Sequence, residues 1–205
     1  MTEAGLLGAD GIKRCSWGNS APDYVEYHDT EWGVPLHGDE ELYERLCLES
    51  FQSGLSWITI LRKRESFRKA FKKFEPKKVA AFTDDDVSRL MEDASIVRNR
   101  AKILAAINNA RAIEELDGSL DDLLWSFAPA SQTRPRRMAD VPAITDESKA
   151  MAKELKKRGF VFLGPTTCYA LMQATGMVDD HVQGCFRAAQ PARACRSSAN
   201  LPRVR

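Results

Sequence analysis

The sequence predicts an all-α protein, and three observations carry that expectation. Apolar residues recur at helical spacing in several long segments, of which Asp39 to Ser53, Trp57 to Phe74 and the stretch through Ile103, Ile107, Ala110 and Ile113 are the clearest. Those segments are separated by helix punctuation: Gly54, Pro76, Thr83-Asp84-Asp85-Asp86, Gly159, Gly164-Pro165 and Gly176. The only β-like run, Phe160-Val161-Phe162-Leu163, has no partner strand, and one apolar tetrad does not make a sheet.

Met1 to Ile12 is small and Gly-containing, and is expected to be a flexible extension preceding one domain over residues 13–186. Cys15 to Pro35 then places Trp17, Tyr24, Tyr27 and Trp32 in a stretch without sustained period. It reads as a short helical turn flanked by loop, lending its rings either to a pocket or to a hydrophobic lid over the core. The helix over Asp39 to Ser53 has an inward stripe of Leu42, Leu46 and Ser53. At about 100° per residue Glu49 falls inside that stripe. A carboxylate there either reaches solvent or an Arg at the edge of the stripe, or is held in a cavity for use.

Gly54-Leu55-Ser56 reads as a turn in which Ser56 caps the next helix, placing the large face of Trp57 close to Glu49. That helix is expected to run from Trp57 to about Phe74 and to stop near Pro76. Between Arg62 and Lys78 it carries nine Lys or Arg against two Glu, which suits a solvated face or a phosphate-facing strip. Thr83 to Asp86 starts the next helix, and after Glu92 a tight turn leads to Arg98, Arg100 and Lys102. Such a helix pair, with Ser95 in its turn and cations just beyond, can offer backbone N–H groups and charge to a phosphate; it is also ordinary helical packing. Asp121 to Phe127 forms a short helix, and Ala128 to Ala143 is irregular. Thr145 or Asp146 caps a helix that stops at Gly159, and Gly164-Pro165 starts another that Gly176 ends. From Arg187 onward the chain has five Arg and no acid, and residues 187–205 are expected to be a disordered basic tail.

Hydrophobic residues make up 43 % and charged residues 29 % of the 205, with a net charge of +1, as in ordinary soluble domains. No signal peptide or membrane-spanning run is present, so a cytoplasmic monomer without membrane contact is expected. Cys15, Cys47, Cys168, Cys185 and Cys195 are odd in number and widely spread, unlike a disulfide framework. Two of them suggest a metal. His181 and Cys185 are four residues apart, one helical turn if that segment is helical, and a loop could bring Cys15 and His28 to join them. Together they make a closed Cys₂His₂ set that suits one structural zinc tying both ends of the domain; taken singly, each is an ordinary core residue. His37 lacks comparable partners and reads as a surface residue.

These pieces fall into a pattern. Arg14-Cys15-x-Trp17, Tyr27-His28-Asp29-x-Glu31-Trp32-Gly33-Val34-Pro35, Cys47-Leu48-Glu49 and Gly54-Leu55-Ser56-Trp57-Ile58-Thr59 come in order. Asp93-Ala94-x-Ile96-x-Arg98-x-Arg100, Lys157-Arg158-Gly159-Phe160 and Asp180-His181-x-x-Gly184-Cys185 follow at consistent spacing. The chain from Arg14 to Cys185 closely resembles the DNA-3-methyladenine glycosylase I family. The resemblance implies a helix-hairpin-helix glycosylase-type fold, removal of 3-methyladenine from double-stranded alkylated DNA, and a structural zinc on Cys15, His28, His181 and Cys185. It further implies that Glu49 is the acid that hydrogen-bonds the methylated base and Trp57 the stacking platform. Tyr27 resembles a hydrogen-bonding wall residue, and Trp17, Tyr24 and Trp32 the aromatic wall. The hairpin from Glu92 to Arg100, with Lys102 just beyond, would meet phosphates. Ser95 stands where the family usually has Gly, which bears on how the turn is made. Three other readings compete: a zinc-stabilised nucleic-acid binder without activity, a zinc hydrolase with an open coordination position, and a lyase using a Schiff-base Lys.

Overall fold

The computed structural model describes residues 6–189. Among these, regular structure is helical except for a two-stranded antiparallel ribbon of β1 (Leu6–Leu7) and β2 (Lys13–Arg14), with Leu6 opposite Arg14. Residues 6–12 are therefore not a flexible extension. The Asp10-Gly11 turn folds them back: the Asp10 carboxylate accepts the Ile12 N–H at 3.0 Å, and Gly11 takes a φ of 78° that glycine adopts without strain. At the other end a 3₁₀ turn over Phe186–Ala189 carries the ordered chain past the expected boundary at 187, and residues 190–205 of the expected tail lie outside the described residues.

Helix α1 (Pro22–Thr30) is a full nine-residue helix, started by Pro22 in its first turn, where only a turn was expected. Helix α2 (Asp39–Gln52) opens on three acids that favour the positive end of its dipole. It crosses the middle of the protein, against α3 (Trp57–Ala70), α6 (Arg100–Glu114), α7 (Leu120–Trp125) and α9 (Pro165–Ala174). Its inward stripe is as read, with Leu42 and Leu46 fully buried and Glu49 5 % exposed, but Ser53 lies past the helix end and is exposed. Tyr43, Phe51, Phe67, Phe71 and Phe74 form the largest fully buried side chains of the core.

Helix α3 stops at Ala70, four residues before the expected end. Lys72, Lys73 and Phe74 turn through left-handed φ values of 53–59°, and this reversal stacks the Phe74 ring on Phe71 at 5.4 Å before α4 (Pro76–Ala80) begins. Much of the basic strip is internally paired: Arg62 with Asp23, Arg64 with Glu31, Arg68 with Glu44 and Glu65, and Lys78 with Glu75. Thr83 and Asp86 form the capping box of α5 (Asp84–Glu92) as its acidic start suggested. Helix α8 (Asp146–Lys157) is capped by Thr145 and packs against α9. Phe160 to Leu163 forms no strand. No helix of the described residues is long and apolar enough to cross a membrane.

Candidate active site and metal centre

Four segments converge on one cavity of about 440 Å³. Trp17 precedes α1, Tyr24 and Tyr27 lie on α1, Trp32 follows it, Glu49 sits on α2 and Trp57 opens α3; all six line the cavity. Trp17 is its hub, with ring centroids 5.5 Å from Tyr24, 6.2 Å from Tyr27 and 5.1 Å from Trp32, while Tyr27 and Trp57 are 5.4 Å apart. Ser56 does occupy the N-cap position of α3, but its hydroxyl is turned to Thr59 Oγ1 at 2.9 Å. The orphan N–H of Ile58 is satisfied instead by the Tyr24 hydroxyl, which accepts it at 2.9 Å. A residue of the aromatic wall thus fixes the helix start that aims Trp57.

Glu49 resolves the alternatives posed by its helical phase. Burial pushes its carboxyl up to about 7, against the opposing pull of the Arg45 guanidinium one turn earlier on α2. Arg45 is itself buried, donates to the Tyr27 hydroxyl and to Glu31 at 3.3 Å each, and lies 5.6 Å from the Tyr27 ring centroid. Arg64 completes the group with two bonds to Glu31 at 2.5 and 2.8 Å. Burial also pushes the Tyr27 phenol well up, so it stays protonated. Arg45 can only donate, which makes the Tyr27 oxygen an acceptor on that side and leaves its O–H to donate elsewhere. Arg45 escaped the sequence reading, although its i, i+4 spacing from Glu49 is the signal that would have found it.

The opposite wall comes from Met138, Val141, Tyr169 and Gln173. Tyr169 and Gln173 are held from behind by Asp180, whose carboxylate accepts from both at 2.7 Å and from Gln132 at 2.7 Å. Asp180 stood in the sequence pattern with no role assigned; here it is a buried acid made tolerable by three donors.

Against this wall, the four proposed ligands are brought together. The ligand atoms of Cys15, His28, His181 and Cys185 all lie within 4.8 Å of one another, and all four residues are buried. His181 Nδ1 is 3.7 Å from Cys15 Sγ and 3.6 Å from Cys185 Sγ, and His28 Nε2 is 3.5 Å from Cys185 Sγ. A tetrahedral ion with sulfur at about 2.3 Å and nitrogen at about 2.0 Å needs S···N edges of roughly 3.6 Å, so the donor set fits. The remaining ring nitrogens are bound as a ligand's should be, His28 Nδ1 to Asp29 at 2.9 Å and His181 Nε2 to the Trp32 carbonyl at 3.1 Å. Although burial works against its charge, Arg14 and His28 hold the Asp29 carboxyl below its ordinary range. The segment from His181 to Cys185 is not helical, and the two residues are brought together instead by a turn at Gln183-Gly184. Gly18 permits the close packing, since a Cβ there would stand 2.8 Å from the His28 ring.

The expected phosphate-binding residues divide. Helices α5 and α6 are joined by a turn over residues 93–99, in which Ser95, Arg98 and Arg100 at its end are exposed. Ser95 makes the turn without a left-handed φ: its N–H and hydroxyl both go to Asp93 Oδ1, at 2.8 and 2.6 Å. Lys63 pins the carbonyls of Ala94 and Ser95 from α3. Lys102 is a correction. Its side chain is turned inward and 6 % exposed, and its ammonium donates to the Phe51 and Ser53 carbonyls at 2.8 and 2.5 Å. The orphan carbonyls at the end of α2 need a donor, and Lys102 supplies it rather than facing a phosphate. His37 is exposed as read but not isolated, bonding Asp121 at 2.9 Å and stacking on Trp125.

A family model described as methyladenine glycosylase matches residues 17–188 of this sequence. The chain belongs to the methyladenine glycosylase family. Membership makes it a glycosylase, an enzyme that hydrolyses N-glycosyl bonds. The glycosylase is 48 % identical over 179 residues to DNA-3-methyladenine glycosylase 1 of Escherichia coli, covering 85 % of this chain and 96 % of that protein. It is 47 % identical over 178 residues to the DNA-3-methyladenine glycosylase of Haemophilus influenzae, covering 84 % and 96 %. Among solved structures it is similar to 3-methyladenine DNA glycosylase I of Staphylococcus aureus, described for its recognition of 3-methyladenine. That match has a TM-score of 0.81 at 38 % identity and covers 87 % of this chain and 97 % of that one.

Proposed function

We propose that the glycosylase hydrolyses the N-glycosidic bond of 3-methyladenine in alkylated double-stranded DNA, the first step of base excision repair. The observation that carries this reading is a carboxyl, Glu49, buried in a cavity that has indole and phenol rings from Trp17, Tyr24, Tyr27, Trp32 and Trp57 in its wall. Methylation at N3 makes the base cationic in DNA and turns it into a good leaving group, so selection matters more than a strong acid. The ionised Glu49 hydrogen-bonds the cationic base, and Trp57 stacks on it, with Trp17, Tyr24 and Trp32 completing the wall. Tyr27, its oxygen accepting from Arg45, turns its O–H toward the base. The cation–π part contributes about 0.5–2 kcal/mol, enough to sort bases but not to supply the rate. Extruding the nucleotide from the duplex costs a few kcal/mol, least where pairing is already weakened.

The α5–turn–α6 unit would act as the helix-hairpin-helix element, Ser95, Arg98 and Arg100 meeting phosphates on the damaged strand, without Lys102. Ser95 would give its amide to a phosphate only by exchanging the Asp93 bond. Cys15, His28, His181 and Cys185 would hold one zinc. Four protein ligands leave it no open position, so what the ion supplies is a clasp between the N-terminal aromatic segment and the C-terminal one. Incubation with duplex carrying 3-methyladenine and chromatography of released bases tests the reading. Release of the free base with an intact abasic strand supports it; binding without release would favour a non-catalytic binder, and strand cleavage a lyase.

A further inference from the structure

Gln173 lines the base cavity, yet neither it nor the acid behind it has a part in the chemistry described so far. Its backbone is anchored beside Trp32, where the Gly33 N–H donates to the Gln173 carbonyl at 3.1 Å, and its helix α9 packs against α2, which carries Glu49. Its side chain is held by Asp180, which is 1 % exposed and collects donors from Gln132, Tyr169 and Gln173 at 2.7 Å each. Gln132 is oriented independently, because its own Oε1 accepts the Asp179 N–H at 2.7 Å. A carboxylate ringed by donors can only accept, so the atom that Gln173 turns to it is Nε2. The buried acid thereby decides which way round the Gln173 amide sits.

Gln173 Oε1 is left over. It takes no hydrogen bond from the described residues and is not sealed from solvent, so it is free for a ligand in the cavity. Gln52 and Thr166 also line the cavity, but neither side chain is held by a hydrogen bond among the described residues, so neither is a fixed acceptor. An adenine methylated at N3 in DNA has acceptors at N1 and N7, and the hydrogens of its exocyclic amino group are its only N–H donors. Glu49 can take one of them, and a preset neutral acceptor suits the other. A guanine methylated at the same nitrogen carries O6 in place of that amino group. Two acceptors would then face each other without a hydrogen between them, which is how a fixed polar site rejects an analogue. We propose that Gln173 reads the exocyclic amino group of the methylated adenine by accepting one of its hydrogens at Oε1, and that Asp180 is the positioning residue that presents this oxygen. The proposal rests on the reading of the cavity as a 3-methyladenine site.

Gln173→Met keeps the unbranched stem and removes the acceptor. Duplex treated with a methylating agent carries both 3-methyladenine and 3-methylguanine, so one single-turnover digest gives the preference between them, each released base being corrected for its amount in the DNA. The unsubstituted protein should prefer 3-methyladenine, and Gln173→Met should lower that preference roughly 10- to 150-fold, the range for a hydrogen bond to a charged group. Asp180→Asn should lower it too, because the Asn amide can donate to Oε1 and let the Gln173 amide turn over. A part confined to the shape of the wall would slow both bases alike. An unchanged preference in Gln173→Met, whether or not both rates fall, overturns the assignment of Gln173, and an unchanged preference in Asp180→Asn overturns the positioning role. Should the unsubstituted protein release neither base, the glycosylase reading fails on its own. Gln173 is then judged by tryptophan-fluorescence titration with free 3-methyladenine against free 3-methylhypoxanthine, which carries oxygen in place of the amino group; the same preference in Gln173→Met and the unsubstituted protein overturns the proposal. That titration also decides if Gln173→Met does not fold, since equal affinity of the unsubstituted protein for the two bases overturns it outright.

Discussion

Replacing Glu49 with Gln keeps the shape of the cavity wall and removes the one carboxyl that lines it among the described residues, and two opposite effects should follow. For binding, a charge-assisted hydrogen bond in a buried site contributes about 1.5–3 kcal/mol, so single-turnover excision from duplex at pH 8 should fall roughly 10- to 150-fold. The pH dependence is more diagnostic. With the Glu49 carboxyl at about 7, the useful ionised form grows as pH rises through 7. It makes up about 10 % of the protein one unit below that midpoint and about 90 % one unit above. The N3-methylated base in DNA carries its charge throughout, so excision by the unsubstituted protein should rise about tenfold from pH 6 to pH 8, and Glu49→Gln should be flat across the same interval.

For stability the sign reverses. The folded carboxyl lies above its unfolded value of 4.5, so the folded state binds the extra proton between the two. Stability from this group is full below about pH 4.5 and is lost as pH rises through about 7. The interval corresponds to an order of 3 kcal/mol, which Glu49→Gln should recover at pH 8 as a raised melting temperature. A variant that loses activity and stability together, or one whose excision keeps the rise near pH 7, would refute the assignment of Glu49 as a buried anion reserved for the base.

Arg45→Met should move that excision midpoint above 7, because Arg45 works against the burial of Glu49; an unmoved pH profile would show that Glu49 does not sense it. Cys15→Ser should lower the bound zinc from one per chain to well below one by metal analysis. It should also cost several kcal/mol of stability, a fraction of the ~10 kcal/mol scale of structural zinc sites, and chelator should lower the melting temperature of the unsubstituted protein in the same direction. Lys102→Met should destabilise by roughly 1–3 kcal/mol in denaturant titration, since it strips the donor from the Phe51 and Ser53 carbonyls, while leaving the salt slope of DNA binding unchanged. Arg100→Ala should do the reverse, keeping stability and reducing that slope by about one.

How much of this was legible before folding depends on the range of the interaction concerned. The helix arithmetic that put Glu49 on the same face as Leu42 and Leu46 is local, and it held; so did the helix start at Thr83 to Asp86 and the restart at Gly164-Pro165, which involve residues a few positions apart. Where the start of α3 turned out differently a distant partner had intervened, while its early end is a reversal within the chain that the period of apolar residues does not show. Ser56 was displaced as the cap of α3 by a hydroxyl from Tyr24, and the helix after Trp57 was cut short where left-handed residues bring Phe74 onto Phe71.

The sequence by itself determined the inventory: which faces are apolar, where an acid falls on an inward stripe, and that two Cys and two His are available for a metal. Charge type and periodicity are properties of the chain whatever surrounds them. Tertiary structure decided what those groups confront. It brought Cys15 within reach of His181, 166 positions away, sealed Glu49 from water beside Arg45, and sent the Lys102 ammonium to carbonyls of α2. Burial and pairing are set by neighbours distant in sequence, and solvation energy depends on those neighbours rather than on the residue alone.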